Sequence, residues 1–195
     1  MRLIFLPALA LATLPVAAQA QVVQGVSQTD AAGQTTTVFT ITPTANVPAP
    51  DYVKLSADSL NYRIAAADLA TSRAQRDDVK AFAVQSRDHA LTEQKLLYAA
   101  LTNADRKITR PSTTLSGARQ ADLDLLRKAP RSGFDTLYLT QQIEGAPNIW
   151  ALQKGYASDG TDPALHQVAL SSVPTIEQDY GTAKALVPAG VVASR

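Results

Sequence analysis

No cysteine occurs in the 195 residues. Disulfide staples, thiolate metal ligands and a cysteine nucleophile are therefore excluded. A lipid carried on a cysteine is excluded with them. Soft metal donors are scarce as well, since there is one methionine and two histidines. Glycine and aromatic residues are sparse, while alanine and leucine dominate, a composition that favours helices packed through small residues. No G-x-S-x-G, phosphate-binding glycine loop or dinucleotide fingerprint is found. Ser171 and Ser172 have no neighbouring histidine–acid pair to activate them. Hydrolase, kinase and dehydrogenase chemistry thus finds no support.

What is present begins with MRLIFLPALALATLPVAAQA. Arg2 supplies a positive start, Leu3 to Ala17 an apolar stretch, and Ala18-Gln19-Ala20 a small-x-small cleavage site. The stretch is short for a bilayer span, and Pro7 and Pro15 interrupt it. It reads as a signal peptide cleaved after Ala20. The expectation is an exported protein in the periplasm or associated with the outer membrane, with no transmembrane span after cleavage. Cleavage removes one of the 18 basic residues, Arg2, and none of the 17 acidic ones, leaving the two signs equal. Nothing electrostatic then favours nucleic acid or an anionic membrane as a partner.

Residues 21–50 are rich in Thr, Gln, Val, Ala and Pro and hold a single charge, Asp30. They form either a flexible leader ending in the VPAP spacer or a weak hairpin of VVQGV and TTVFTIT across DAAGQ. The domain itself is expected at 51–187, with 188–195 as a frayed tail. Asp51 reads as the N-cap of a first helix reaching about Arg73, with Val53, Ala57, Leu60, Ile64 and Ala67 on its inner face. A second helix runs from about Asp77 to Thr102, carrying Val79, Phe82, Ser86, Ala90 and Leu97 inward. After a long loop, ARQADLDLLRKA predicts a short helix with Leu123, Leu125 and Leu126 as its apolar side.

A third long helix from about Phe134 has two apolar stripes, one through Leu139, Ile143, Ala146 and Trp150, the other through Tyr138, Ile149, Leu152 and Tyr156. Gly145 and Pro147 inside it predict a bend beside Trp150, accommodated by packing or opening room for a small apolar ligand. Asp162 and Pro163 open a fourth helix whose inner face runs from Leu165 through Ser172 and Ile176 to Tyr180 and Ala183. The fold class is all-α, an antiparallel four-helix bundle behind an extended or weakly β leader.

Candidate chemistry centres on QSRDHALTEQK, where His89 and Glu93 lie one helical turn apart. With Glu144 of the third helix and Asp179 of the fourth they form a possible mononuclear set of nitrogen and oxygen donors. Such a set suits zinc or manganese. The competing reading leaves His89 and Glu93 solvated at the bundle's edge, with Asp179 paired to a base such as Lys184. A standard di-iron centre is ruled out, because Ser86 and Pro163 stand where Glu-x-x-His requires glutamates before His89 and His166. His166, in the first turn of the fourth helix, is expected to be exposed and without a role.

Several short motifs occur in a telling order. Val79-Lys80-Ala81-Phe82 precedes Asp88-His89, and Phe134-Asp135 precedes Tyr138 and Gln142; Gly155-Tyr156-Ala157, Gly160, Pro163, Leu165 and Pro174 follow. Together they resemble the exported bacterial family called domain of unknown function 4142, over roughly residues 51–187. The resemblance implies a ferritin-like bundle in the cell envelope with no established activity. Members commonly carry inward-facing histidines on three helices; here those positions hold His89, Ala146 and Asp179. The expected function is non-enzymatic, without catalytic residue or cofactor: an envelope helical module that binds a partner protein or small ligand. The alternative is a metal-binding or redox protein with a degenerate mononuclear site.

Overall fold

The computed structural model describes residues 25–29, 35–102 and 107–188. The expected signal peptide, the turn of the leader and the end of the tail lie outside them. Five helices follow a two-stranded hairpin: β1 Gly25–Thr29, β2 Thr35–Phe39, α1 Ala49–Arg73, α2 Asp77–Ala100, α3 Gly117–Lys128, α4 Arg131–Asp159 and α5 Pro163–Leu186. The strands pair antiparallel with Gly25 opposite Phe39 and Thr29 opposite Thr35.

The four long helices pack cyclically as α1, α2, α5, α4. Tyr52 at the start of α1 meets Tyr156 near the end of α4, whereas Arg73 at the end of α1 lies over Phe134 near the start of α4. Helices α1 and α4 are therefore antiparallel. The turns 74–76 and 160–162 are short, so α1–α2 and α4–α5 are antiparallel hairpins too. Helices α2 and α4 must then point the same way. The chain between them, the crossover that includes α3, therefore joins the end of α2 to the start of α4 at the opposite end of the bundle.

Local chemistry explains the boundaries. Pro50 falls in the first turn of α1, where its missing N–H costs nothing. The cap is Pro48, three residues before the expected cap Asp51. Asp162 caps α5, its Oδ1 accepting from the Ala164 and Leu165 amides at 3.1 Å. Helix α2 lacks a cap of its own. Asp135 of α4 supplies one from outside, accepting from the Gln75 and Arg76 amides at 2.9 Å. Helix α4 is continuous through Pro147.

Three expectations change. The leader does not stand apart from the domain: Phe39 is buried against Trp150 and Tyr180, with ring centroids 5.1 and 4.6 Å away. The Thr44 amide donates to the Ala151 carbonyl at 2.9 Å, and Asn46 N–H to Asp159 at 2.7 Å. Burial of Phe39 outweighs the low intrinsic order of a polar leader, and the packed domain extends N-terminal of residue 51. Leu125 is exposed, because α3 turns Leu123 and Leu126 into the core and Leu125 away from it. The inner face of α1 is rotated from the expected one, leaving Ile64 half-buried and Arg63 inside.

The core has two apolar ends. One gathers Ala66, Ala70, Val79, Phe82, Phe134 and Leu139; the other gathers Tyr52, Val53, Leu97, Leu152, Leu165 and Ala169. A polar layer lies between them.

Candidate functional site: a closed charge layer and an open groove

Arg63 is the centre of the polar layer. Its Nη1 donates to Glu93 Oε1 at 3.1 Å and its Nη2 to Asp179 Oδ2 at 2.6 Å. The other carboxylate oxygen of Asp179 lies 2.8 Å from His89 Nδ1. Arg63, Glu93 and Asp179 are only 6 %, 6 % and 8 % exposed. The layer thus ties α1, α2 and α5 together in the core. Burial lowers the basicity of Arg63, but the two carboxylates more than reverse this and hold it charged. For Glu93 burial wins over the attraction of Arg63, and its pKa is raised above the ordinary carboxylate value.

This arrangement answers the sequence expectations one by one. His89, Glu93 and Asp179 do come together, but around a guanidinium. Glu144 does not join them; it is exposed on α4 and lines a surface groove. Glu93 is not solvated at an edge, and Asp179 pairs with Arg63 and His89, not Lys184, whose ammonium lies over the Tyr180 ring. Only His89 keeps partial exposure. His166 is half-buried, not exposed. A guanidinium occupies the position between Glu93 and Asp179 that a divalent cation would need, so the donor set in this arrangement does not fit one. Among the described residues no three His, Asp or Glu side chains are placed to hold a metal ion.

Two neutral links flank the layer and repeat one device. Tyr62 of α1 donates to Gln141 of α4 at 2.8 Å, and Tyr52 to Gln153 at 2.7 Å. Burial pushes both phenol pKa values up, so both stay protonated as donors. Gln141 in turn donates to the Asp122 carbonyl at 2.9 Å, fastening α3 to α4.

Outside the layer the crossover leaves a groove between α1, α3, α4 and the chain following β2. Its volume is about 680 Å³, and Leu55, Ser59, Arg119, Glu144, Asn148 and Ile149 are among its walls. This size falls in the ordinary range of small-ligand sites. Ser59 is 5 % exposed, and its Oγ has no hydrogen-bond partner among the described residues. Leaving a buried hydroxyl unsatisfied costs about 1–3 kcal/mol. Arg119 stands at the inner wall, 5.0 Å from the Tyr62 ring centroid and 3.9 Å from Asp122. Behind it a niche of about 30 Å³ reaches Arg63, Ala146 and Asp179. Gly145 makes room for Arg119, since a Cβ there would come within 3.3 Å of Nη1.

Sequence reasoning missed Arg63, Ser59 and Arg119. A signal for Arg63 existed: Ser56, Leu60, Arg63, Ala67 and Ala70 follow a helical stripe, so a charge falls on an inward row. Ser86, Ala90, Glu93 and Leu97 place Glu93 inward in the same way. Neither Ser59 nor Arg119 is marked by any pattern, because the groove is made by the crossover.

Comparison with known proteins agrees with this fold. The family model described as "Domain of unknown function (DUF4142)" matches residues 34–186. The crystal structure of a DUF305 fragment from Deinococcus radiodurans is similar with a TM-score of 0.62 and 14 % identity. The similarity covers 74 % of this chain and 97 % of that one. No curated protein matches.

Proposed function

The chain belongs to the DUF4142 family of domains of unknown function, and from that premise we propose that it is an exported, non-catalytic binding protein of the cell envelope. The groove under the crossover is its ligand site. The envelope assignment rests on the signal-like first twenty residues. The binding assignment rests on the groove itself, about 680 Å³ in volume and walled by apolar Leu55 and Ile149 beside polar Arg119 and Asn148. A non-catalytic role suits the charge layer, where each carboxylate is engaged by Arg63. It acts there as a core fastening.

The groove reading is tested with a library of small neutral fragments, followed by amide chemical shifts of the mature chain. Perturbations should gather on Leu55, Ser59 and Ile149. Asn148 is exposed at the rim, so Asn148→Trp should fill the groove and abolish the perturbations while leaving the melting temperature within about 2 °C. Fragments that shift only residues elsewhere, or bind the variant equally, would refute the groove.

A further inference from the structure

A second hollow, of about 620 Å³, lies between α1 and the connection after α2. It meets the groove at Leu55, Asp58 and Ser116, which line both.

The wall opposite α1 is fastened along its length. Ile108 packs on the apolar end of the core that holds Tyr52 and Leu97, and Leu115 on the end that holds Phe82 and Phe134. Between them the Ser112 carbonyl accepts from the Asn61 amide group of α1 at 3.3 Å. Ser116 donates to Asp58 of α1 twice, from its amide at 2.7 Å and from its hydroxyl at 2.8 Å. The hollow is therefore built into the fold.

Its charge is of one sign. Lys54 of α1 faces a space shared with Lys107 and Arg110 of the opposite wall. Asp58 is the one carboxylate among the described lining residues, and Ser116 takes both its oxygens. The walls then carry 3 − 1 = 2 net positive charges. Among the described residues no carboxylate forms an ion pair with any of the three cations. Arg110 is held over the Tyr98 ring, 3.8 Å from its centroid. Such stacking uses the face of the guanidinium and leaves the N–H donors along its edge for a ligand.

The rest of the lining is largely apolar: Pro50, Leu55, Ile108, Pro111 and Leu115. Leu55 is 51 % exposed, an apolar side chain that the fold itself does not cover. An inorganic oxyanion would satisfy the cations and leave this surface wet. A neutral apolar molecule would do the reverse. A ligand with one anionic head and an apolar body uses both, and a carboxylate head matches the guanidinium fork.

We propose that the hollow binds a monocarboxylate with a short alkyl chain. Its carboxylate lies at Arg110, Lys54 and Lys107, and its chain lies against Leu55, Ile108 and Leu115. The volume is that of an ordinary small-ligand site. This site is distinct from the groove and does not depend on the groove binding anything.

The test titrates the full mature chain with octanoate, below its micelle concentration, and follows amide chemical shifts. Octylamine and inorganic phosphate serve as comparisons. Octanoate should shift Leu55, Ile108 and Leu115, and each comparison compound should bind at least about tenfold more weakly, equivalent to about 1.4 kcal/mol. Arg110→Gln should weaken octanoate by a similar factor. Lys54→Gln combined with Lys107→Gln, which leaves Arg110 on Tyr98, should weaken it too. All three residues are exposed, so folding should survive both changes. Asn148→Trp, which fills the groove alone, should leave octanoate binding intact. Octylamine binding as tightly as octanoate would overturn the charge assignment, and phosphate binding as tightly would overturn the alkyl chain. Wild-type affinity in both charge variants, or no shift at Leu55, Ile108 and Leu115, would overturn the site. Loss of octanoate binding in Asn148→Trp would move the ligand to the groove, overturning this site and sparing the groove reading.

Discussion

Arg63 shows why a single side chain can decide what a cluster of acids is for. With its guanidinium in place, Glu93 and Asp179 are partners in the core. Without it they are two buried carboxylates with no counter-ion. Arg63→Met should therefore lower stability by about 3–5 kcal/mol in chemical denaturation, the usual result of breaking a buried pair from one side. Replacing all three residues by apolar ones of similar size, as Arg63→Met, Glu93→Met and Asp179→Leu, should restore most of that loss. A triple variant no better than the single one would mean that the layer stabilises through more than its charges.

Glu93 adds a pH signature. Its folded pKa lies above the ordinary carboxylate value of 4.5, because burial outweighs Arg63. The folded chain then holds a proton there that the unfolded chain has released. Its contribution is most favourable below 4.5 and is lost as pH rises through the folded pKa. Glu93→Gln removes this component and can still accept from Arg63. The melting temperature of the variant, relative to the wild type, should climb as pH rises above about 4.5. Parallel curves for the two proteins across that window would contradict it.

At the scale of elements, the motifs that carried the family resemblance turn out to join one element to another. Asp135 closes the N-terminus of α2 from α4. Phe134 takes the Arg73 guanidinium on its ring at 5.0 Å, and the same arginine donates to the Ala129 carbonyl at 2.6 Å, fixing the end of α3. Gly155 lets the leader lie on α4: any Cβ there would overlap the Thr44 carbonyl. Gly155→Ala should thus lift residues 39–46, at a cost of about 1–3 kcal/mol for an overpacked contact. The chain has one tryptophan, Trp150, packed on Phe39. Its emission should shift to the red in the variant, and an unchanged spectrum would show that the leader docks without help from Gly155.

The whole molecule is a bundle stapled midway by charge, with the leader on one flank and the crossover on another. No helix among the described residues is long and apolar enough to cross a membrane. Export, as proposed, predicts that protein recovered from the envelope fraction begins at Gln21 by mass spectrometry. Recovery of a chain that retains residues 1–20 would count against cleavage after Ala20.

By itself the sequence determined the helices, most of their inward faces and the longer connection between the second and third long helices. Those follow from local causes: periodicity, prolines at helix starts, the Asp162 cap and the short turns. It also held the stripes that place Arg63 and Glu93 inside, although not their meeting. Arg63 is 30 residues from Glu93 and 116 from Asp179. Whether the three converge depends on how α1, α2 and α5 are rotated and staggered against one another, and the packing of the entire core decides that. The same holds for the leader, which was open to either reading until the surface between Trp150 and Tyr180 existed to bury Phe39. The groove is the extreme case. It belongs to no segment, and its lining residues come together only once the crossover has been laid along α1 and α4.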